Sequence, residues 1–273
     1  MASPGQTGTV TDGALPLAGV VLAAGAGTRL WPLTIERPKA RCPVGDRPLV
    51  DLALDRLQPL VDGPGALAVN LHHGAGQLDE HLAPEVHRSV EQPEALGTAG
   101  ALGALRGWIA GRDVIVTNAD AWLDPALDLT AFVADWDRER TRLLCVVDAK
   151  RGDFGDLRYC GVALIPAATA AVLAPVPSGL YEVSWREERA AGRLDLVAAD
   201  VAFTDCGTPA DYLEANLAAS HGRAVISADA VVGDGAVVER SVVWPGAEVR
   251  AGEVLVDAIR TPHRTVLVRR SPR

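Results

Sequence analysis

The sequence predicts an α/β fold: a mostly parallel mixed sheet with helices on both faces, followed by a short left-handed parallel β-helix. Three observations predict it. Apolar runs of strand length, such as Gly19-Val20-Val21-Leu22-Ala23, are continuous rather than alternating, as strands buried on both faces require. These runs alternate with segments of helical periodicity, which implies βαβ units and ligands at the carboxyl ends of the strands. Beyond Ser220 the period changes to six. Val231, Val237, Val243, Val249 and Leu255 form one row, and Ile226, Val232, Val238 and Trp244 form a second, broken by Arg250. A hexapeptide period is the signature of a parallel β-helix.

The elements follow in order. Residues 1–16 are small and polar, and are expected to be a flexible N-terminus. The 19–23 run is a strand ended by a glycine-rich turn. Leu49, Val50, Leu52, Ala53, Leu57 and Leu60 then recur at helical spacing. ALAVNLH (66–72) reads as a strand, GQLDEHL as a helix, EVHRSVE as a strand and TAGALGALRGWI (98–109) as a helix. DVIVTNAD (113–120) is a strand with a polar tip. LTAFVADWDRER reads as a helix, TRLLCVVDA and YCGVALIP as strands, and PADYLEANLAAS (209–220) as a helix with proline at its start. The expected domains are 17–222 and a β-helix tail at 223–273. About five hexapeptides make under two coils, so the tail should pack on the larger unit.

Composition excludes several classes. With 273 residues, 48% hydrophobic and 22% charged, the chain can bury a sizeable core. A net charge of −9 opposes general binding to nucleic acid or an anionic membrane. Cys42, Cys145, Cys160 and Cys206 are scattered with no C-x-x-C, which points to a reducing compartment and not to a zinc ribbon. The N-terminus lacks the pattern of a signal peptide, and the apolar stretch 14–27 is too short to span a bilayer. A cytoplasmic protein is expected. Of 26 basic residues only two are lysines, Lys39 and Lys150. Where arginine is used so generally, a retained lysine draws notice.

The first turn, Gly25-Ala26-Gly27-Thr28-Arg29-Leu30, carries the chemistry. A dinucleotide fingerprint needs glycine where Leu30 stands, and a P-loop needs G-K-[ST], which is absent. What remains is a plain βα turn or a glycine-rich cradle whose free N–H groups hold phosphates with help from Arg29. The continuation, LAAGAGTRLWPLTIERPKARCPVGDRPLV, resembles the sugar-1-phosphate nucleotidyltransferases of the mannose-1-phosphate guanylyltransferase and glucose-1-phosphate thymidylyl- or uridylyltransferase type. The matching positions are Gly25, Gly27, Thr28, Arg29, Leu30, Pro32, Leu33, Thr34, Pro38, Lys39, Pro43, Val44, Pro48 and Leu49.

The resemblance implies a Rossmann-like, GT-A-like nucleotide-diphospho-sugar transferase fold. It implies that Leu22, Ala23, Ala24 and Gly25 present backbone to the base. Ala26, Gly27, Thr28 and Arg29 would then hold the triphosphate, and Lys39 would neutralise the transferring phosphate. Phosphoryl-type transfer needs such convergence of cations and backbone donors. The neighbouring Arg37 and Arg41 are expected on the solvated surface. EQPEALGTAG (91–100) resembles the family's L-G-T-A-G loop beside base and sugar, which adds Gly97 and Thr98; read alone, Thr98 is a helix N-cap. VIVTNAD resembles the strand whose Asn118 and Asp120 face sugar and Mg²⁺. FTDCGTP (203–209) resembles the motif whose Asp205 is the second Mg²⁺ ligand. Mg²⁺ favours one or two carboxylates with waters and substrate phosphates. Asp120 is expected to serve catalysis as well as the metal. His72-His73, Cys206 and the helix of Trp185 and Arg186 are expected to be structural.

The chain departs from the family pattern in the middle. No E-K-P segment is present, and Gly161 fits the family's N-x-G with Tyr159 in place of Asn. Gly161 is expected to touch the sugar; Lys150 is nearby but in no matching context, so Arg151 or Arg158 would have to replace the missing lysine. The resemblance implies a Mg²⁺-dependent transfer of NMP from an NTP to a sugar 1-phosphate, releasing pyrophosphate. The L-G-T-A-G form and the tail lean toward the mannose-1-phosphate guanylyltransferase branch. Another phosphorylated acceptor, such as phosphocholine, and a non-catalytic nucleotide-sugar sensor are the alternatives. The tail is expected to cap the protein or join subunits, since only His221 and His263 flank it and an acyltransferase needs a catalytic histidine.

Overall fold

Seven strands form the central sheet in the computed structural model, which describes residues 16–268. The expected N-terminal segment lies, up to residue 15, outside them. The strands are β1 Ala18–Leu22, β2 Leu67–Leu71, β3 His87–Val90, β4 Val114–Asn118, β6 Thr141–Val147, β7 Leu157–Ile165 and β8 Leu194–Ala198; a separate short strand, β5, spans Ala121–Leu123. Their order is β8-β6-β7-β4-β1-β2-β3. All run one way except β7, which is antiparallel to both of its neighbours, β4 and β6. The expected mostly parallel mixed sheet is present.

Both faces of this sheet are covered, which explains the unbroken apolar runs. On one face Val21, Val69, Ile115 and Val162 pack under Val50, Ala53 and Leu57 of helix α1 (Leu49–Leu57), with Phe132 and Trp136. On the other, Val20, Ala68, Val116 and Ala163 pack under Ala99 and Leu102 of helix α2 (Gly97–Ala104), with Leu180 and Trp185. Adjacent strand residues thus serve opposite faces. Two expected helices are shorter than the pattern suggested. The 98–109 segment breaks at Leu105, and only Thr130–Ala134 of LTAFVADWDRER is helical.

Strand β9 (Phe203–Asp205) pairs with β5 as an antiparallel ribbon outside the main sheet, Asp205 opposite Ala121. Helix α3 (Pro209–Ala219) follows at once. It starts with a capping box in which Thr208 and Asp211 satisfy each other's backbone N–H groups.

The tail winds through β10 Val225–Ile226, β11 Val231–Val232, β12 Val237–Glu239, β13 Val242–Val243, β14 Glu248–Val249, β15 Val254–Val256 and β16 Ala258–Arg260, and ends with β17 Thr265–Leu267. β10, β13 and β16 stack in parallel, as do β11 on β14 and β12 on β15, while β17 closes the stack antiparallel to β16. Val225 pairs with Val242 and Val242 with Ile259, so each coil takes 17 residues. That is one residue fewer than three hexapeptides. The shortfall swaps the two rows: Ile226, Val232 and Val238 of the first coil stack on Val243, Val249 and Leu255 of the second. The second-coil residues are buried, while Ile226 and Val232 stay exposed at the end of the stack.

The tail docks through its second coil. Trp244 is fully buried, and its Nε1 donates to the Tyr212 hydroxyl of α3, which donates to the Pro43 carbonyl. Val242, Trp244 and Ile259 share one core with Leu30, Leu33 and Cys42 of the segment after the first turn.

Candidate active site

The site gathers at the carboxyl ends of β1 and β4 and at the tip of the β5–β9 ribbon. After β1 the chain must leave the sheet through a tight turn. The Ala23 N–H donates to Asn70 Oδ1 at 2.6 Å, and Asn70 Nδ2 donates to Glu91 Oε1 at 2.8 Å. The second oxygen of Glu91 accepts from the Leu96 N–H at 2.7 Å. Asn70 and Glu91 are both buried, so one bonded chain links the glycine-rich turn to the loop before α2. Neither residue was given a role from the sequence. A signal existed in Asn70, a polar residue inside an otherwise apolar strand.

Gly25, Ala26, Thr28 and Arg29 are exposed along the turn. Gly27 has φ 61°, and a Cβ there would meet Lys39 Cβ and Thr34 Cγ2 at 2.9 Å. Only glycine therefore lets the Lys39 segment close against the turn. The Thr34 hydroxyl fastens that closure by donating to the Gly27 carbonyl.

Lys39 emerges from a 3₁₀ turn, Lys39–Arg41, with its side chain 10% exposed. Its Nζ lies 2.6 Å from Asp120 Oδ2 and 3.7 Å from Asp205 Oδ1. Arg29 Nη2 stands 3.8 Å from the other Asp205 oxygen. The Cys206 N–H donates to the Asp120 carbonyl at 3.0 Å, which fixes the two aspartate segments to each other. Burial, then the nearby Asp120 charge, push the Asp205 carboxyl above its ordinary range against the pull of Lys39 and Arg29. Lys39, Arg29, Asp120 and Asp205, four positions singled out in the sequence, are thus brought together.

Two carboxylates about one-third exposed, the Asp120 charge raising the proton affinity of Asp205, make a donor set suited to a divalent cation. Among the described residues no cluster of three or more His, Cys, Asp or Glu gathers as a metal cage. The pair therefore fits Mg²⁺, which draws its remaining ligands from water and phosphate, better than a fully protein-ligated metal.

Asn118 ends β4, and Gly161 of β7 lies against it with φ +85°. A Cβ on Gly161 would approach Ala121 Cβ to 2.7 Å and Asn118 Cβ to 3.3 Å. Gly97 and Thr98 begin α2. A Cβ on Gly97, Gly100 or Gly103 would strike the backbone of 174–178, so these glycines seat that segment on the helix. The Thr98 hydroxyl accepts from the Leu180 N–H at 2.8 Å and does not cap the helix, because that segment reaches it first.

The expectation for two arginines needs correction. Arg37 and Arg41 are not simply solvated. The Arg37 guanidinium lies 4.3 Å from the centre of the Trp244 ring, and Arg41 donates to the Gln77 carbonyl. Tyr159 meets Trp185 edge-on at 5.0 Å, and burial pushes its phenol well above the ordinary value. Trp185 Nε1 is buried without a partner in a π-helical turn, Tyr181–Trp185. Lys150 and Arg151 are exposed, whereas Arg158 stacks on Phe203, 4.9 Å away, and lies 3.6 Å from Asp148. All four cysteines are buried free thiols, and burial pushes the Cys206 thiol far up, as befits a packing residue. His72 and His73 bond the carbonyls of Glu91 and Ala24.

Residues 18–155 match the nucleotidyl transferase family model. The chain belongs to the nucleotidyl transferase family. It is 30% identical over 233 residues to an N-acetylmuramate alpha-1-phosphate uridylyltransferase of Caulobacter vibrioides, covering 73% of this chain and 96% of that protein. It is 34% identical over 128 residues to the bifunctional protein GlmU of Cupriavidus necator, covering 46% of this chain and 27% of that one. Among solved structures, a mannose-1-phosphate geranyltransferase from Thermus thermophilus shares the fold with a TM-score of 0.69 at 17% identity, covering 93% of this chain and 95% of that one. A UDP-glucose pyrophosphorylase from Acinetobacter baumanii does so with a TM-score of 0.59 at 17% identity, covering 76% and 94%. The chain is a nucleotidyltransferase of the sugar-1-phosphate type. Among its described residues no helix is long and apolar enough to cross a membrane.

Proposed function

We propose that the protein transfers an NMP from an NTP to a sugar 1-phosphate, giving a nucleotide sugar and pyrophosphate, with Mg²⁺ as cofactor. The convergence of Lys39 and Arg29 on Asp120 and Asp205, beside an open glycine-rich turn, carries this reading. Backbone from Leu22 to Thr28, with Gly97 and Thr98, receives the nucleotide; Asn118 and Gly161 receive the sugar. The acceptor phosphate is ionised at neutral pH, so attack on the α-phosphorus needs no general base from the protein. Lys39 leaves its ion pair with Asp120 to meet the charge spreading over the transferring phosphate, and Arg29 holds the departing pyrophosphate. Held by Asp120 and Asp205, Mg²⁺ supplies Lewis-acid charge neutralisation.

For the substrates, the uridylyltransferase relative supports UTP and an amino-sugar 1-phosphate, because the likeness runs over nearly all of that protein. A second reading, GTP and mannose 1-phosphate, is favoured by the L-G-T-A-G form and the hexapeptide tail. The division at residues 222–223 belongs to this proposal and is supported by the change from α3 to two-residue strands. Exposed Ile226, Val231, Val232 and Val237 at the end of the coil stack support a tail that joins subunits. Supply of NTP and four free thiols support a cytoplasmic site of action.

The test is pyrophosphate release with Mg²⁺, for GTP, UTP, dTTP, CTP and ATP against the 1-phosphates of mannose, glucose, N-acetylglucosamine and N-acetylmuramate. Turnover in one combination, abolished by Asp120→Asn, is expected. Silence in all of them with NTP binding intact overturns the reading in favour of another phosphorylated acceptor, such as phosphocholine, or a nucleotide-sugar sensor.

A further inference from the structure

Arg56 lies on α1 and takes no part in the site described above. Its Nη1 donates to the Thr117 hydroxyl of β4 at 2.8 Å, and its Nη2 donates to the Ala121 carbonyl of β5 at 2.9 Å. Between these two anchors the chain makes one short excursion, Asn118-Ala119-Asp120. The guanidinium therefore holds both ends of the turn that carries Asp120. The grip reaches Asp205 too, because Ala121 is the residue that Asp205 faces in the β5–β9 ribbon.

The chemistry of the grip is unusual. Thr117 is fully buried and both acceptors are neutral. Among the described residues no carboxylate forms an ion pair with the half-buried Arg56, although the buried Arg142 has one with Asp135. Burial lowers the Arg56 guanidinium to about 10, so it stays charged at neutral pH while poorly solvated. A half-buried cation without an ion-pair partner is a costly way to bond a buried hydroxyl and a carbonyl. A purely structural demand at this place is met more cheaply by packed apolar groups. What an apolar side chain cannot supply is a rigid, planar fork that fixes two strand ends at a set spacing.

We propose that Arg56 is a positioning residue for the reaction: it sets the β4–β5 turn so that Asp120 and Asp205 present their carboxylates together to the metal and the phosphates. This inference rests on the proposed function. It goes beyond it in assigning the aim of the carboxylates to a residue that touches neither substrate nor metal.

The test uses Arg56→Met, with Arg56→Lys and Thr117→Val beside it, in the full chain. Arg56 lines a cavity of about 520 Å³ with Leu52, Trp122 and Leu123, so an unbranched methionine can follow the same course. Four quantities are read: the melting temperature, kcat, KM for the NTP, and Mn²⁺ binding by electron paramagnetic resonance with a non-hydrolysable NTP present. Arg56→Met is expected to melt close to the wild type, since removal of a poorly solvated charge offsets the loss of a donor to the Thr117 hydroxyl and the Ala121 carbonyl. Its kcat is expected to fall by about 10- to 100-fold, as misplacement of a catalytic group by about an ångström does. The KM for the NTP should stay within about twofold, and Mn²⁺ should bind about threefold or more weakly. Arg56→Lys, which keeps the charge and one donor, should recover part of the loss. A Met variant with unchanged kcat and Mn²⁺ binding overturns the proposal, and so does one whose losses only follow a lower melting temperature. If the Met variant does not fold, Thr117→Val decides, because it removes one anchor at nearly constant shape. Silence of the wild type overturns the proposed function alone, and Mn²⁺ binding still reads Arg56.

Discussion

On the proposed function, the nucleotide and the acceptor meet two walls that are built on different principles. The donor wall, residues 23–41, is made of backbone, glycines and cations, and it is braced from both sides. From inside the sheet, Asn70 and Glu91 hold Ala23 and Leu96. From outside, the tail presses Trp244 against Arg37, and Glu36 accepts from Thr261 and Arg264. The side on which the proposal places the acceptor, by contrast, draws Asn118 from β4 and Gly161 from β7, and Tyr159, two residues before Gly161, meets Trp185 of a π-helical turn, whose buried indole N–H lacks a partner. A triphosphate is the same object in every nucleotidyl transfer, so its wall can be rigid and contiguous. The acceptor varies, and its wall is assembled from distant side chains.

This contrast predicts that the tail matters first to the donor wall. Replacing Trp244 by alanine removes a fully buried indole that joins the second coil, α3 and the Lys39 segment. A loss of about 3–5 kcal/mol in urea unfolding is expected. In whatever fraction stays folded, the KM for the NTP should rise while that for the acceptor holds. A double-mutant cycle with Arg37→Ala should return a coupling of about 0.5–2 kcal/mol for the cation–π contact. Equal effects on both KM values would erase the distinction between the walls.

Next in size is Lys39 itself. Lys39→Ala is expected to lower kcat by about 100- to 1000-fold, the loss that follows removal of one preorganised charge or donor from a developing oxyanion. Lys39→Arg should not rescue it. The 3₁₀ turn leaves the side chain 10% exposed between two carboxylates, and a planar fork does not fit where a point charge sits. Rescue by arginine would mean that net charge, and not its placement, is what the donor wall supplies.

The same contrast explains what could be read from the sequence. The central sheet was legible because strands buried on both faces leave unbroken apolar runs, as in Val20–Leu22 and Val114–Val116. The donor wall was legible because its chemistry compresses Gly27, Arg29 and Lys39 into one short segment with little freedom in residue type. Strand β8 was not read, because its residues Leu194–Ala198 are only half-buried at the sheet edge and carry no continuous run. Asn70, Glu91 and Arg56 were not read as site residues, because each acts through a partner 21 to 65 positions away. The coil length of 17 was hidden because the two hexapeptide rows look continuous; only the pairing of Ile226 with Val243 shows that they exchange.

The smallest expected effect tests the acceptor wall most directly. Tyr159 stands two residues before Gly161 on β7, where the family pattern has asparagine, and its phenol keeps its proton because burial disfavours the phenolate. Tyr159 is therefore a neutral hydrogen-bond donor at neutral pH, beside a buried indole N–H that lacks a partner. Donors of this kind suit an acceptor that carries oxygen atoms, whether phosphate or a ring substituent. Tyr159→Phe removes one hydroxyl and leaves the edge-on contact with Trp185 intact. One hydrogen bond is worth about 1 kcal/mol, so the acceptor KM should rise about fivefold, with the KM for the NTP and the melting temperature unchanged. Trp185→Phe should act in the same direction on the acceptor alone. If Tyr159→Phe instead raises the KM for the NTP, the hydroxyl faces the donor, and the two walls are one surface.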